Sequence, residues 1–116
     1  TEPSKTELHP PTENVFLQKL NAAITSHLDD TDFSVAQLAQ IMLLSQVQLY
    51  RKVKALTGKN TMLYIRSLRL KKAKELLLNT ELNISEIAYE VGFSDPSYFS
   101  RAFQQEFNHP PKYFRK

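Results

Sequence analysis

The chain of 116 residues has no cysteine and two glycines. Without cysteine there is no disulfide framework, no thiolate metal site and no cysteine nucleophile. Such usage suits a reducing cytoplasm. With Gly58 and Gly92 as the sole glycines, a glycine-rich phosphate loop is excluded. No apolar run approaches the roughly 20 residues of a membrane span, and no secretory signal pattern is visible. No segment alternates like a strand with turn signals at both ends. The expected fold class is all-α, with about seven helices.

Catalytic and metal-binding constellations are missing as well. No serine or cysteine nucleophile motif occurs. His9, His27 and His109 fall in a linker, a helix end and a turn. Asp29, Asp30 and Asp32 lie near His27, but no glycine and closing glutamate of a calcium loop follow. They read as loop acids, and neither metal nor cofactor is expected. Enzymatic activity is not expected of this stretch.

Acidic residues are absent from one long interval. Between Asp32 and Glu75 the charged residues are Arg51, Lys52, Lys54, Lys59, Arg66, Arg69, Lys71, Lys72 and Lys74. The net charge of +3 is thus concentrated there, which points to a polyanionic partner.

Residues 1–13, TEPSKTELHPPTE, are rich in proline and charge and read as an inter-domain linker. A linker at the start, and a first residue other than Met, imply an upstream domain in a larger protein. Asn14 is the expected cap of a first helix carrying Leu17, Leu20, Ile24 and Leu28 at helical spacing. Ser34 with Gln37, and Ser45 with Gln48, have capping-box spacing for two further helices. Gly58 suits a left-handed helix end.

A long basic helix follows from Asn60 to Asn79, with Met62, Ile65, Leu68, Leu76 and Leu77 expected to face the protein. Beyond it the same grammar returns. Asn83 and Glu86 match Ser34 and Gln37, and Ile87, Ala88 and Val91 match Leu38, Ala39 and Met42. Gly92 makes the turn, Asp95 caps the next helix and Pro96 takes its first position. Asn108 stands where Gly58 stood, and Pro110-Pro111 open a short final helix, KYFRK.

The organisation expected is therefore two helix-turn-helix subdomains, 14–59 and 80–116, joined by a linker helix, 60–79. In the first unit Leu49, Val53 and Leu56 form the apolar stripe. Val47, Tyr50, Arg51 and Lys54, at i, i+3, i+4 and i+7, form the outward face. In the second, Phe99, Ala102, Phe103 and Phe107 are apolar, and Ser97, Ser100, Arg101 and Gln104 face outward at the same spacing. Either face alone is an ordinary polar helix surface. Duplicated, with matched arginines and a basic spacer, the pair points to double-stranded DNA. A helix fits the major groove, arginine bonds guanine in two places, and serine and glutamine bond several base edges. Helix N-termini can hold phosphates. A spacer of this length suits two groove segments about 34 Å apart on one face of DNA.

Three motifs then carry a family resemblance: LSQVQLYRKVKALTG, YIRSLRLKKAKELL and ISEIAYEVGFSDPSYFSRAFQQEFNHPPKYFR. With them, residues 14–116 resemble the DNA-binding domain of the AraC/XylS transcriptional regulators. SDPSYFSRAF after a proline-rich linker resembles the output domain of hybrid two-component regulators. The resemblance implies a cytoplasmic transcription regulator whose recognition helices are Ser45–Leu56 and Asp95–Phe107. It places Val47, Tyr50, Arg51, Pro96, Ser97, Ser100 and Arg101 against bases. Ser45, Gln46, Gln48, Lys54 and Gln104 are assigned to the DNA backbone. RNA polymerase and the upstream domain are further implied partners, with dimerisation through other parts of the protein and no membrane contact from this stretch. Two positions depart from the family pattern. Leu43 stands where glycine is usual in the first turn, so that this turn either changes shape or carries roughly 1 kcal/mol or more of strain. Thr61 stands near the linker-helix start, where proline is usual. The rival to sequence-specific reading is a helical protein-interaction or nonspecific nucleic-acid module.

Overall fold

The computed structural model describes residues 11–115. Six α-helices and a closing 3₁₀ helix make up its regular structure: α1 (Pro11–Thr25), α2 (Val35–Ile41), α3 (Gln46–Thr57), α4 (Thr61–Asn79), α5 (Ile84–Glu90), α6 (Pro96–Phe107) and the 3₁₀ turn Pro111–Phe114. No strand occurs among the described residues. The molecule is a slab of 40 × 38 × 21 Å.

Most helix boundaries follow from local capping chemistry. Ser34–Gln37, Ser45–Gln48 and Asn83–Glu86 each form a reciprocal capping box. Asn60 caps α4 by accepting from Leu63 N at 2.9 Å. Gly58 and Asn108 close α3 and α6 in left-handed geometry, with φ of 79° and 65°. The start of α1 differs from expectation. It lies at Pro11 rather than beyond Asn14, since proline needs no N–H partner in a first helical turn. Residues 11–13 thus belong to the helix, and the remainder of the expected linker, 1–10, lies outside the described residues. The final segment is a 3₁₀ turn over PKYF rather than a helix over KYFRK.

Two hydrophobic clusters meet on α4. One joins Leu20, Ile24, Leu38, Leu49 and Val53 to Ile65. The other joins Ile87, Val91, Phe99 and Phe103 to Leu70, Ala73 and Leu77. The first half of α4 completes one core and its second half the other, on different sides of the helix. Ile65, Leu68, Leu76 and Leu77 face these cores as expected, and Met62 does not. Met62 is 70% exposed, whereas Leu70 and Ala73 are fully buried. A helix buried on two sides has no single apolar stripe to find.

The two turns share one geometry. Leu44 N donates to Ala39 O and Leu43 N to Gln40 O; Phe93 N donates to Ala88 O and Gly92 N to Tyr89 O. Both are Schellman closures, which place their C′ residue in the left-handed region. Leu43 accordingly has φ 60° and Gly92 φ 93°. The leucine does not reshape the first turn; it adopts the glycine conformation and carries the strain. Its side chain is 90% exposed, so no packing offsets that strain.

Candidate nucleic-acid interface

On α3, Leu49 and Val53 are buried while Val47, Tyr50, Arg51 and Lys54 are exposed. On α6, Phe99, Ala102 and Phe103 are buried while Ser97, Arg101 and Gln104 are exposed, and Pro96 and Ser100 are half-buried. Ser45, Gln46 and Gln48 are exposed at the head of α3. The fold thus groups these residues on the outer faces of two helices, each held by its own core.

The helix heads differ in chemistry. Ser45 Oγ accepts from Gln48 N at 3.0 Å, and Gln48 Oε1 accepts from Ser45 N at 2.9 Å. Both residues are exposed, and the Ser45 hydroxyl and the Gln48 side-chain NH₂ keep donors that these two bonds do not use, as phosphate contacts require. At α6 the cap is a carboxylate. Asp95 Oδ1 accepts from Ser97 N at 2.9 Å, and Pro96 has no N–H. A negative cap and a missing donor make this end poor for phosphate, so the general expectation for helix N-termini holds better at α3. Lys54 reaches Gly58 O at 3.1 Å at the foot of its own helix, so contact with DNA would require leaving that cap.

Arg101 has a neighbour that periodicity does not reveal. Its guanidinium lies 6.0 Å from the ring centroid of Tyr98, one turn earlier. The Tyr98 hydroxyl accepts from Arg66 Nη1 of α4 at 3.2 Å, and the Tyr98 ring lies 5.8 Å from that of Phe93. Tyr98 and Arg66 are 32 positions apart, so the one available sequence signal was the i−3 spacing of Tyr98 from Arg101.

The basic interval divides once its partners are known. Arg69 is 7% exposed. Its Nη1 donates to Leu28 O at 2.5 Å and Val91 O at 2.7 Å, and its Nη2 to Asp30 O at 3.1 Å. It is a structural group and, contrary to the expectation from charge alone, is not among the cations available to a polyanion. Burial lowers its pKa from the ordinary arginine value, while the charges of Asp30 and Asp29 oppose that shift. Lys74 lies over Phe107 and Phe114, 5.0 and 4.8 Å from their centroids, and Lys52 lies 5.0 Å from that of Phe16. Lys72 stands 3.8 Å from Glu75. Arg51, Lys59 and Lys71 remain exposed.

No group of three or more metal-ligating residues occurs among the described residues. His27 Nδ1 lies 2.9 Å from Ala23 O, and its ring stacks on Phe33 at 4.6 Å. Among the described residues no helix is long and apolar enough to cross a membrane.

Two bihelical units on one rod, each turning an arginine-bearing helix outward, define the class of a helix-turn-helix DNA-binding domain. The helix-turn-helix domain family matches residues 38–116. Histidine kinase P4 of Formosa agariphila is 35% identical over 85% of this chain. The transcriptional activator RhaS of Escherichia coli is 37% identical over 86% of it. Among solved structures, the C-terminal domain of the two-component response regulator yesN from Fusobacterium nucleatum is similar at TM-score 0.77 and 33% identity, covering 86% of this chain and 97% of that one. The chain belongs to the AraC-type helix-turn-helix family of DNA-binding transcription regulators. It spans 7% and 36% of the lengths of the two curated relatives.

Proposed function

We propose that this chain is the output domain of a larger two-component regulator and reads two adjacent major-groove segments of an operator. In this reading α3 presents Val47, Tyr50 and Arg51 to bases, and α6 presents Pro96, Ser97, Ser100 and Arg101. Ser45, Gln46, Gln48, Lys54 and Gln104 flank them along the phosphates. The carrying observation is the pair of arginines, Arg51 and Arg101, exposed at matching positions of two units built on one helix. The likeness to a histidine kinase and to a response-regulator C-terminal domain supports the two-component setting. Signal reception, dimerisation and contact with RNA polymerase then belong to the whole protein, with this domain on the cytoplasmic side.

Binding selection from random duplexes tests the reading. Two short boxes about one helical turn apart are expected, with preference for the selected site over random duplex of about 10³ or more at physiological salt. Equal affinity for all duplexes would mark a nonspecific nucleic-acid module instead.

A further inference from the structure

The principal helix packings join two helices of one unit, join α6 to the closing 3₁₀ turn, or involve α4. A shared rod leaves each unit free to rock unless something ties it. One such tie is built at the middle of α4. Arg69, midway along α4, donates to Leu28 and Asp30 in the α1–α2 connection and to Val91 in the turn between α5 and α6. One guanidinium therefore holds main-chain carbonyls from both units. Next to it, Gly92 packs so closely that an added Cβ would overlap both Arg69 Nη1 and the Leu28 carbonyl oxygen. The second turn is thus pressed directly on the first unit, and the arginine seals the seam.

We infer that Arg69 is a positioning residue for DNA recognition: it touches no DNA and fixes the angle and separation of α3 relative to α6. Main-chain carbonyls do not change rotamer, so three of them bind the rigid fork in one arrangement. Lysine, a point charge with rotatable donors, cannot bridge the same set in fixed geometry. The consequence for DNA rests on the two-box reading above. A clamped pair discriminates between box spacings, and a loosened pair tolerates several while losing the advantage of simultaneous engagement.

The chain has no cysteine, so Ala55→Cys on α3 and Gln105→Cys on α6, both exposed, provide a unique spin-label pair. One narrow inter-label distance is expected in the parent. Arg69→Met should broaden it at unchanged helix content, and Arg69→Lys should restore it only in part. With the two-box duplex, Arg69→Met should lose ~10-fold or more in affinity. Its affinity for a one-box duplex should hold, and its preference for one spacing should flatten. An Arg69→Met distribution as narrow as the parent's overturns the clamp. Broadening without any change in spacing preference overturns the positioning role, whereas a parent with no preference between one-box and two-box duplexes overturns the two-box reading instead. Should Arg69→Met unfold, the parent decides through guanidinium hydrogen exchange. Arg69 protons protected relative to those of Arg51 support the clamp, and equal exchange overturns it.

Discussion

In the first unit the left-handed turn residue is Leu43, and its side chain stands in solvent. In the second it is Gly92, wedged between Arg69 and the Leu28 carbonyl. The hydrogen bonds of the two turns match atom for atom, so the difference lies in what surrounds them. Around Leu43 the cost is conformational alone, roughly 1–2 kcal/mol for an L-residue at positive φ. Around Gly92 there is no room for a side chain. One fold motif used twice thus obeys two rules: backbone preference at a free surface, and space at a seam. The helix heads diverge likewise, with a neutral serine box on α3 and an acidic, proline-led cap on α6.

Glycine substitution breaks the comparison most sharply. Gly92→Ala is expected to destabilise by more than about 3 kcal/mol, because it displaces a buried, hydrogen-bonded guanidinium. Gly58→Ala, also at positive φ but with nothing within 4 Å, should cost only about 1 kcal/mol. Urea titration of both variants checks this, and similar losses would remove the distinction between strain and space.

The reading heads come next in size. Arg51→Ala and Arg101→Ala should each lose about 1–3 kcal/mol at the cognate site. Tyr98→Leu should weaken binding in the same direction as Arg101→Ala but less, since it removes the support and leaves the reader. Competition titrations with cognate and random duplexes separate these outcomes from a uniform loss, which would mark a phosphate contact.

Smaller effects sharpen the account of the first unit. Leu43→Gly should stabilise by up to about 1 kcal/mol, the relieved strain being partly offset by glycine's unfolded-state entropy. Thr61→Pro should stabilise by about 0.5–1 kcal/mol. The Thr61 hydroxyl is buried without a partner, and Asn60 already has the extended φ −71°, ψ 167° that a following proline requires. Thermal melts of both variants, with DNA affinity unchanged, are the check.

What could be read from the sequence was what local chemistry decides. The caps at Ser34, Ser45, Asn60, Asn83 and Asp95, the left-handed ends at Gly58 and Asn108, and the outward faces of α3 and α6 each depend on residues within one or two turns. What could not be read depends on distant partners. Leu70 and Ala73 are buried because α4 serves two cores on different sides. Arg69 looked like one more surface cation until the carbonyls of Leu28, Asp30 and Val91 were placed around it. Arg66 and Tyr98 meet only once α4 and α6 pack. The start of α1 at Pro11 was obscured by a proline pair that also suits a linker.

The claim that two inequivalent heads read two separate boxes is tested most directly by repeating the random-duplex selection with Arg51→Ala and with Arg101→Ala. Each variant is expected to relax base preference in one box and leave the other intact, the two variants affecting different boxes. Relaxation in the same box, or an even loss across all positions, would contradict it.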